Sequence, residues 1–189
     1  MAYTVDDLAS VLGRIYSYGI EGVIIGSTVF YLKIKEKQLK DDIDLFVTKP
    51  SPLVEEEEYV RIAYRESWEI SYTDIGTPRF IIKHPSGEII VEFYENIHDF
   101  YIPEEIISSS TKIRIRNVDI KIVHLEDYIV LKAKAARESD IEFLKQLKTY
   151  INKGRIKINK KRIQETISLF PHEEQSFIRN KLYETGIIE

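Results

Sequence analysis

Two short patterns in this 189-residue sequence carry the residue types that phosphate and metal chemistry needs. The first is Gly26-Ser27, which follows the apolar run Val23-Ile24-Ile25 and opens a helix-patterned segment. At a helix start the backbone N–H groups are unpaired and the dipole is positive, so a phosphate can sit there. Gly26 lets the backbone approach closely, and Ser27 adds a hydroxyl donor. The second pattern is Asp42-Ile43-Asp44, which begins the next strand-like run. Side chains alternate along a strand, so Asp42 and Asp44 share one face while Ile43 and Leu45 take the other. Two neighbouring carboxylates repel unless a cation lies between them, and oxygen ligands suit Mg²⁺.

Those residues need strands and helices to hold them. Thr4 caps a predicted helix running to about Tyr18, with Asp6 and Asp7 at its positive end. Its apolar positions Leu8, Val11, Leu12 and Ile15 recur at helical spacing, and Gly19 lies just beyond. A buried strand is expected at Val23-Ile24-Ile25, then a helix through Val29, Phe30, Leu32 and Ile34. A charged connection over residues 35–41 leads to a strand over 43–48. After Pro50 and Pro52, residues 53–65 read as a helix with the acidic run Glu55 to Glu58 as a solvated start. Strands follow over 68–72, 80–83 and 89–93, the last two joined by the turn His84-Pro85-Ser86-Gly87. Residues 112–116 and 118–123 alternate with period two around Asn117, a further hairpin. From Leu125 onward four segments are helix-patterned: 125–137, 140–151, 161–170 and 173–183, punctuated by Gly154, Pro171 and Gly186. The fold class is therefore α+β, with one domain over residues 1–123 and a helical region over 124–189 that packs on it.

Composition excludes several other chemistries. Hydrophobic residues make up 43% and charged residues 31%, which suits a globular core under a charged surface. With no cysteine there is no disulfide framework, thiolate zinc site or cysteine nucleophile. The histidines His84, His98, His124 and His172 stand singly, without metal-ligand spacing, and read as structural or surface groups. A net charge of −4 argues against a globally basic nucleic-acid binder. The N-terminus lacks a signal-peptide pattern and no apolar run approaches a membrane span, so the expected location is the cytoplasm, with no membrane partner. Abundant Ile, Lys and Glu with one Met and no Cys resemble a thermophile's composition.

Gly-Ser, a connecting helix, then Asp-x-Asp on the adjacent strand resembles the DNA polymerase β-like nucleotidyltransferase superfamily. The segments Ile24-Ile25-Gly26-Ser27-Thr28-Val29-Phe30-Tyr31-Leu32 and Lys40-Asp41-Asp42-Ile43-Asp44-Leu45-Phe46 look like its small prokaryotic members. The likeness covers roughly residues 20–95, and Leu125-Glu126-Asp127-Tyr128-Ile129-Val130-Leu131-Lys132 looks like the helix after the catalytic sheet. Ile25 stands where a first glycine is more usual. The resemblance implies a mixed sheet flanked by helices, a nucleoside triphosphate substrate and two Mg²⁺ ions. It also implies a third acid on a later strand, for which Glu92, inside the apolar run Ile89-Ile90-Val91-Glu92-Phe93, is the candidate. Asp42, Asp44 and Glu92 would then be the catalytic and metal-binding set. Gly26 and Ser27 would bind the outer phosphates, and Lys132 would neutralise phosphate charge. The implied reaction moves a nucleoside monophosphate to a hydroxyl on an RNA end, a protein or a small molecule, releasing pyrophosphate. Lys132 and Arg137 have a plainer reading, as a solvated face pairing with Glu126, Asp127 or Glu138.

Lys145, Lys148, Lys153, Arg155, Lys157, Lys160, Lys161 and Arg162 form a basic stretch with no acid among them. It can track the phosphate backbone of an RNA acceptor, face an acidic partner protein, or solubilise the surface. Two further functions therefore stand beside the enzyme. One is a catalytically silent relative serving as the partner-binding half of a toxin–antitoxin-like pair; the other is an RNA-binding module.

Overall fold

The computed structural model describes residues 2–98 and 100–188. The chain forms two compact units. Met1–Tyr101 with Ser110–Ile122 make the first, and Ile102–Ser109 with Val123–Glu189 make the second. The helical unit thus takes Ile102–Ser109 from the middle of the chain as well as the segment after residue 122.

The first unit contains β1 (Tyr3–Thr4), α1 (Val5–Ser17), β2 (Glu21–Ile24), α2 (Thr28–Lys33), β3 (Gln38–Leu39), β4 (Ile43–Lys49) and α3 (Glu56–Glu66). It continues with β5 (Glu69–Tyr72), β6 (Pro78–His84) and β7 (Gly87–Tyr94). After α4 (Glu104–Ser108), which belongs to the helical unit, come β8 (Thr111–Ile115) and β9 (Val118–Ile122). Seven strands form one sheet in the order β5-β6-β7-β4-β2-β9-β8. It is mixed: β4–β7 and β2–β9 are parallel, and the other neighbours are antiparallel. Short β1 and β3 pair separately.

The predicted capping of α1 is present in full. The Thr4 hydroxyl accepts from the Asp7 N–H, and the Asp7 carboxylate accepts from the Thr4 N–H at 2.8 Å. Leu8, Leu12 and Ile15 are buried along one stripe. Along β4, β6 and β7 every second residue enters the core: Ile43, Leu45 and Val47; Phe80 and Ile82; Val91 and Phe93. α3 covers this face, where Tyr59 meets Phe93 edge-on at 4.9 Å and Trp68 meets Phe80 at 5.4 Å. The opposite parity leaves Asp44, Arg79 and Glu92 on the other face.

The second unit adds α5 (Leu125–Ala135), α6 (Glu138–Asn152), α7 (Lys160–Ser168) and α8 (His172–Glu184) to α4. α5 is its axis, touching the other three long helices, and Ile129, Val130 and Ala133 of α5 are buried, as are Leu144, Leu147, Ile163, Ile167 and Ile178 of its neighbours. Residues 125–137 are not one continuous helix as their pattern suggested. Ala136 adopts a left-handed conformation (φ 47°), ending α5, and Arg137 instead caps α6. No helix of the described residues is long and apolar enough to cross a membrane.

Candidate active site

The strand β2 ends at Ile24, and the chain turns at once into α2. The Ile25 N–H donates to the Asp44 carbonyl at 3.0 Å, so the turn is stitched to the neighbouring strand at the level of the acidic pair. Gly26 follows. A Cβ placed on it would lie 1.7 Å from Asp44 Oδ2 and 2.8 Å from Asp44 Cβ. Only glycine lets the Asp44 carboxylate occupy that space, which gives the Gly-x₁₇-Asp spacing its physical reason. The Ser27 backbone carbonyl accepts from the Phe30 and Tyr31 N–H groups, but its Oγ makes no hydrogen bond although it is buried. A buried hydroxyl without a protein partner can donate to a ligand atom. α2 itself is six residues long.

Asp42 precedes β4 and Asp44 lies within it, both half-buried. Asp44 stands opposite Glu92 in the parallel β4–β7 pair, and Glu92 stands opposite Arg79 in the antiparallel β6–β7 pair. Burial raises the proton affinity of Asp42, the Glu92 carboxylate raises it further, and the Arg79 guanidinium opposes them. Glu92 Oε1 accepts from Arg79 Nη1 at 3.3 Å, and its other oxygen accepts from the Tyr94 hydroxyl. Among the described residues no group of three or more His, Asp or Glu side chains converges on one metal position. The donor set is nevertheless all oxygen, as Mg²⁺ prefers, and the Gly26 cradle and the orphaned Ser27 hydroxyl fit a phosphate-bound cation beside Asp42 and Asp44.

Four further residues, given no role by the sequence alone, belong to this site. Tyr3 donates to the Asp41 carbonyl at 2.9 Å, and Tyr31 donates to the Asp41 carboxylate at 3.0 Å, anchoring the turn ahead of Asp42. Burial drives the Tyr3 hydroxyl well above an ordinary phenol, with the negative Asp44, Asp41 and Asp42 adding to the effect. Tyr31 is pushed up to about 12, by burial first and then by the Asp41 carboxylate. Both remain neutral donors at physiological pH. Arg79 and Tyr94 are the other two; strand parity finds them once register is known.

Lys132 lies in the helical unit, where its Nζ is 2.6 Å from Asp140 Oδ1. Arg137 Nε binds the other oxygen of Asp140 at 2.8 Å, so both cations share the Asp140 carboxylate. Asp140 is fully buried, which raises its proton affinity, but the hydrogen bonds from Arg137 and Lys132 outweigh this and leave the carboxyl below its ordinary value. A carboxyl depressed by folding stabilises the fold above its unfolded pKa of about 4 and loses that contribution as pH falls through its lower folded value. Urea midpoints from pH 6 down to pH 3 should therefore show Asp140→Asn less stable than wild type above about pH 4, with the gap closing below it. A gap independent of pH would contradict the ion-pair account.

Within the basic stretch Arg162 turns inward. Its Nη2 lies 2.6 Å from Asp127 Oδ2, and the Thr166 hydroxyl donates to Asp127 Oδ1 at 2.7 Å. Lys145, Lys153, Arg155, Lys157, Lys160 and Lys161 are exposed, with Lys161 3.6 Å from Glu165.

A solved structure, an antigenic nucleotidyltransferase-like protein from Paracoccidioides brasiliensis, is similar in fold. The TM-score is 0.56 at 15% identity, over 97% of this chain and 91% of that one. No curated protein matches the chain. The family described as "Nucleotidyl transferase of unknown function (DUF2204)" matches residues 4–184. With nearly the whole length matched, from the α1 cap to the end of α8, the chain belongs to that nucleotidyl transferase family.

Proposed function

We propose that this protein is a Mg²⁺-dependent nucleotidyltransferase that moves a nucleoside monophosphate from a nucleoside triphosphate to a hydroxyl acceptor. The observation that carries the proposal is the contact of Gly26 with Asp44, which sets a side-chain-free turn against the acidic pair, with the buried Ser27 hydroxyl next in the chain. Bound Mg²⁺ would neutralise triphosphate charge and acidify the acceptor hydroxyl. Asp42 and Asp44 would hold it, with Tyr3 and Tyr31 fixing the turn at Asp41 so that Asp42 stays aimed. Gly26 gives the outer phosphates access to the backbone, and Ser27 Oγ donates to a phosphate oxygen. Glu92 is the third acid of the set. The acceptor oxygen forms a bond to the α-phosphorus as the α–β anhydride bond breaks. The hydroxyl proton passes to a carboxylate or to water, and pyrophosphate leaves.

Incubation with each labelled triphosphate, Mg²⁺ and cell extract should give a labelled product. Asp44→Asn should lower its formation by at least about 10²-fold, the scale expected when one electrostatic stabiliser is removed. Equal labelling by the variant would sink the proposal. A second function, a catalytically silent partner-binding member, is favoured by one observation: Arg79 and Tyr94 already hold both oxygens of Glu92. Calorimetry separates the two. Triphosphate binding that Asp44→Asn abolishes favours the enzyme, and a stoichiometric co-purifying protein without triphosphate binding favours the module. Lys132 as a phosphate contact, and the exposed part of residues 145–162 as the surface for an RNA or protein acceptor, remain parts of the proposal with their own mutational tests.

A further inference from the structure

The sheet face that carries Asp44 and Glu92 also carries a fixed cation. Arg79, Glu92 and Asp44 stand side by side across β6, β7 and β4, so three charges occupy one row. The Arg79 and Glu92 side chains are 33% and 13% exposed, and a single N–H···O contact of 3.3 Å joins them. Tyr94, two residues beyond Glu92 on the same face, donates to the second oxygen. Each Glu92 oxygen therefore already accepts a hydrogen bond, and a metal ion would have to share Glu92 with the Arg79 cation. The influence of Arg79 extends to Asp42, where it opposes that of Glu92.

We propose that Arg79 competes with a divalent cation for Glu92, so that the resting site takes one metal ion, at Asp42 and Asp44, and Glu92 ligates a second only when the guanidinium withdraws. This rests on the nucleotidyltransferase activity proposed above, and it changes the number of ions that the family resemblance implied. A guanidinium stays protonated throughout the physiological range, so pH does not relieve the competition. A dication and a guanidinium at the same carboxylate repel each other strongly in a half-buried place. The hold is nevertheless releasable. Arg79 makes one contact to Glu92 where a fork could make two, and its Nε is buried without a hydrogen-bond partner. A triphosphate offers that planar fork a better, bidentate partner. Substrate binding then supplies the withdrawal, coupling completion of the acidic set to arrival of the nucleotide.

Mn²⁺ alone, titrated into the full chain and counted by electron paramagnetic resonance, tests this without any turnover. Wild type should bind about one equivalent, lost in Asp44→Asn, and Arg79→Gln about two, as in a two-metal site. Arg79→Lys, which keeps the charge, should stay at one. In the otherwise wild-type chain, Glu92→Gln should leave the count at one equivalent, even though losing a nearby negative charge weakens the affinity, a result that stands even where Arg79→Gln fails to fold. Two equivalents in wild type, an Arg79→Gln count equal to wild type, or loss of the single equivalent in Glu92→Gln would each overturn the role of Arg79. If wild type and Arg79→Gln both bind no Mn²⁺, the metal assignment falls as well. If Asp44→Asn loses the ion but Arg79→Gln gains none, only the Arg79 role falls.

Discussion

Gly26→Ala is expected to cripple the site while leaving most of the fold intact. The added methyl would sit 1.7 Å from Asp44 Oδ2 and 2.5 Å from its Cγ, so the entire Asp44 carboxylate must move. Overpacking of this kind costs about 1–3 kcal/mol, which at this chain length lowers Tm by about 2–4 °C for each kcal/mol. The effect on function is larger. A reacting or ligating group displaced by an ångström costs on the order of 10²-fold in rate, and Asp44 cannot avoid a shift of that size. Label transfer and Mn²⁺ binding should both collapse while circular dichroism stays close to wild type. Mn²⁺ affinity equal to wild type in a folded Gly26→Ala protein would show that the Asp44 carboxylate is not the ligand whose position Gly26 protects.

Asp127→Ala should strongly destabilise the helical unit. The carboxylate is 1% exposed and accepts from Arg162 Nε at 3.1 Å, from Arg162 Nη2 at 2.6 Å and from the Thr166 hydroxyl. Removing it leaves a guanidinium that is only 26% exposed without its counter-charge, with Ser109 Oγ still accepting from Nη2, and takes from the Thr166 hydroxyl its carboxylate partner. Breaking a buried pair from one side costs about 3–5 kcal/mol, and the partial access of Arg162 to water favours the lower end. A loss near 3 kcal/mol corresponds to a Tm lower by about 6–12 °C. Lys161→Ala, whose side chain is 83% exposed, is the control and should change stability by less than about 0.5 kcal/mol. Urea unfolding decides between them. A cost for Asp127→Ala below about 1 kcal/mol would mean that the buried pair does not hold α5 to α7.

The α+β class and most of the elements were legible because period-two and period-3.6 patterns are local properties of the chain. The hairpins 80–93 and 112–123 and the four long helices after residue 124 follow from apolar spacing and from Pro and Gly punctuation. The pieces that were not legible lack local patterning. β1 and β3 are two residues each, stabilised by pairing with one another across 34 positions of chain, and β3 lies in what reads as a charged connection. α4 is a five-residue turn of helix whose Ile106 and Ile107 are buried by distant segments. The same division holds at the site. Gly26, Ser27, Asp42 and Asp44 announce themselves by spacing within one strand–helix–strand unit. Arg79 and Tyr94 do not, because their meeting with Glu92 depends on register and on the parity of two later strands. Tyr3 is farther still, its hydroxyl reaching Asp41 over 38 positions.

The order in which the chain visits its two units has a consequence for inheritance. It passes between them at 101/102, at 109/110 and again at 122/123. A single breakpoint near residue 122 would strip away α5 to α8 but leave Ile102–Ser109 behind, with Ile106 and Ile107 deprived of their core. A breakpoint near 101 would carry off β8 and β9 and with them the parallel partner of β2, the strand that leads into Gly26. Neither unit is a cassette that one recombination event can add or delete. The sheet with its acidic row and the helices threaded through the same stretch of gene are therefore bound to be lost, kept and diversified together.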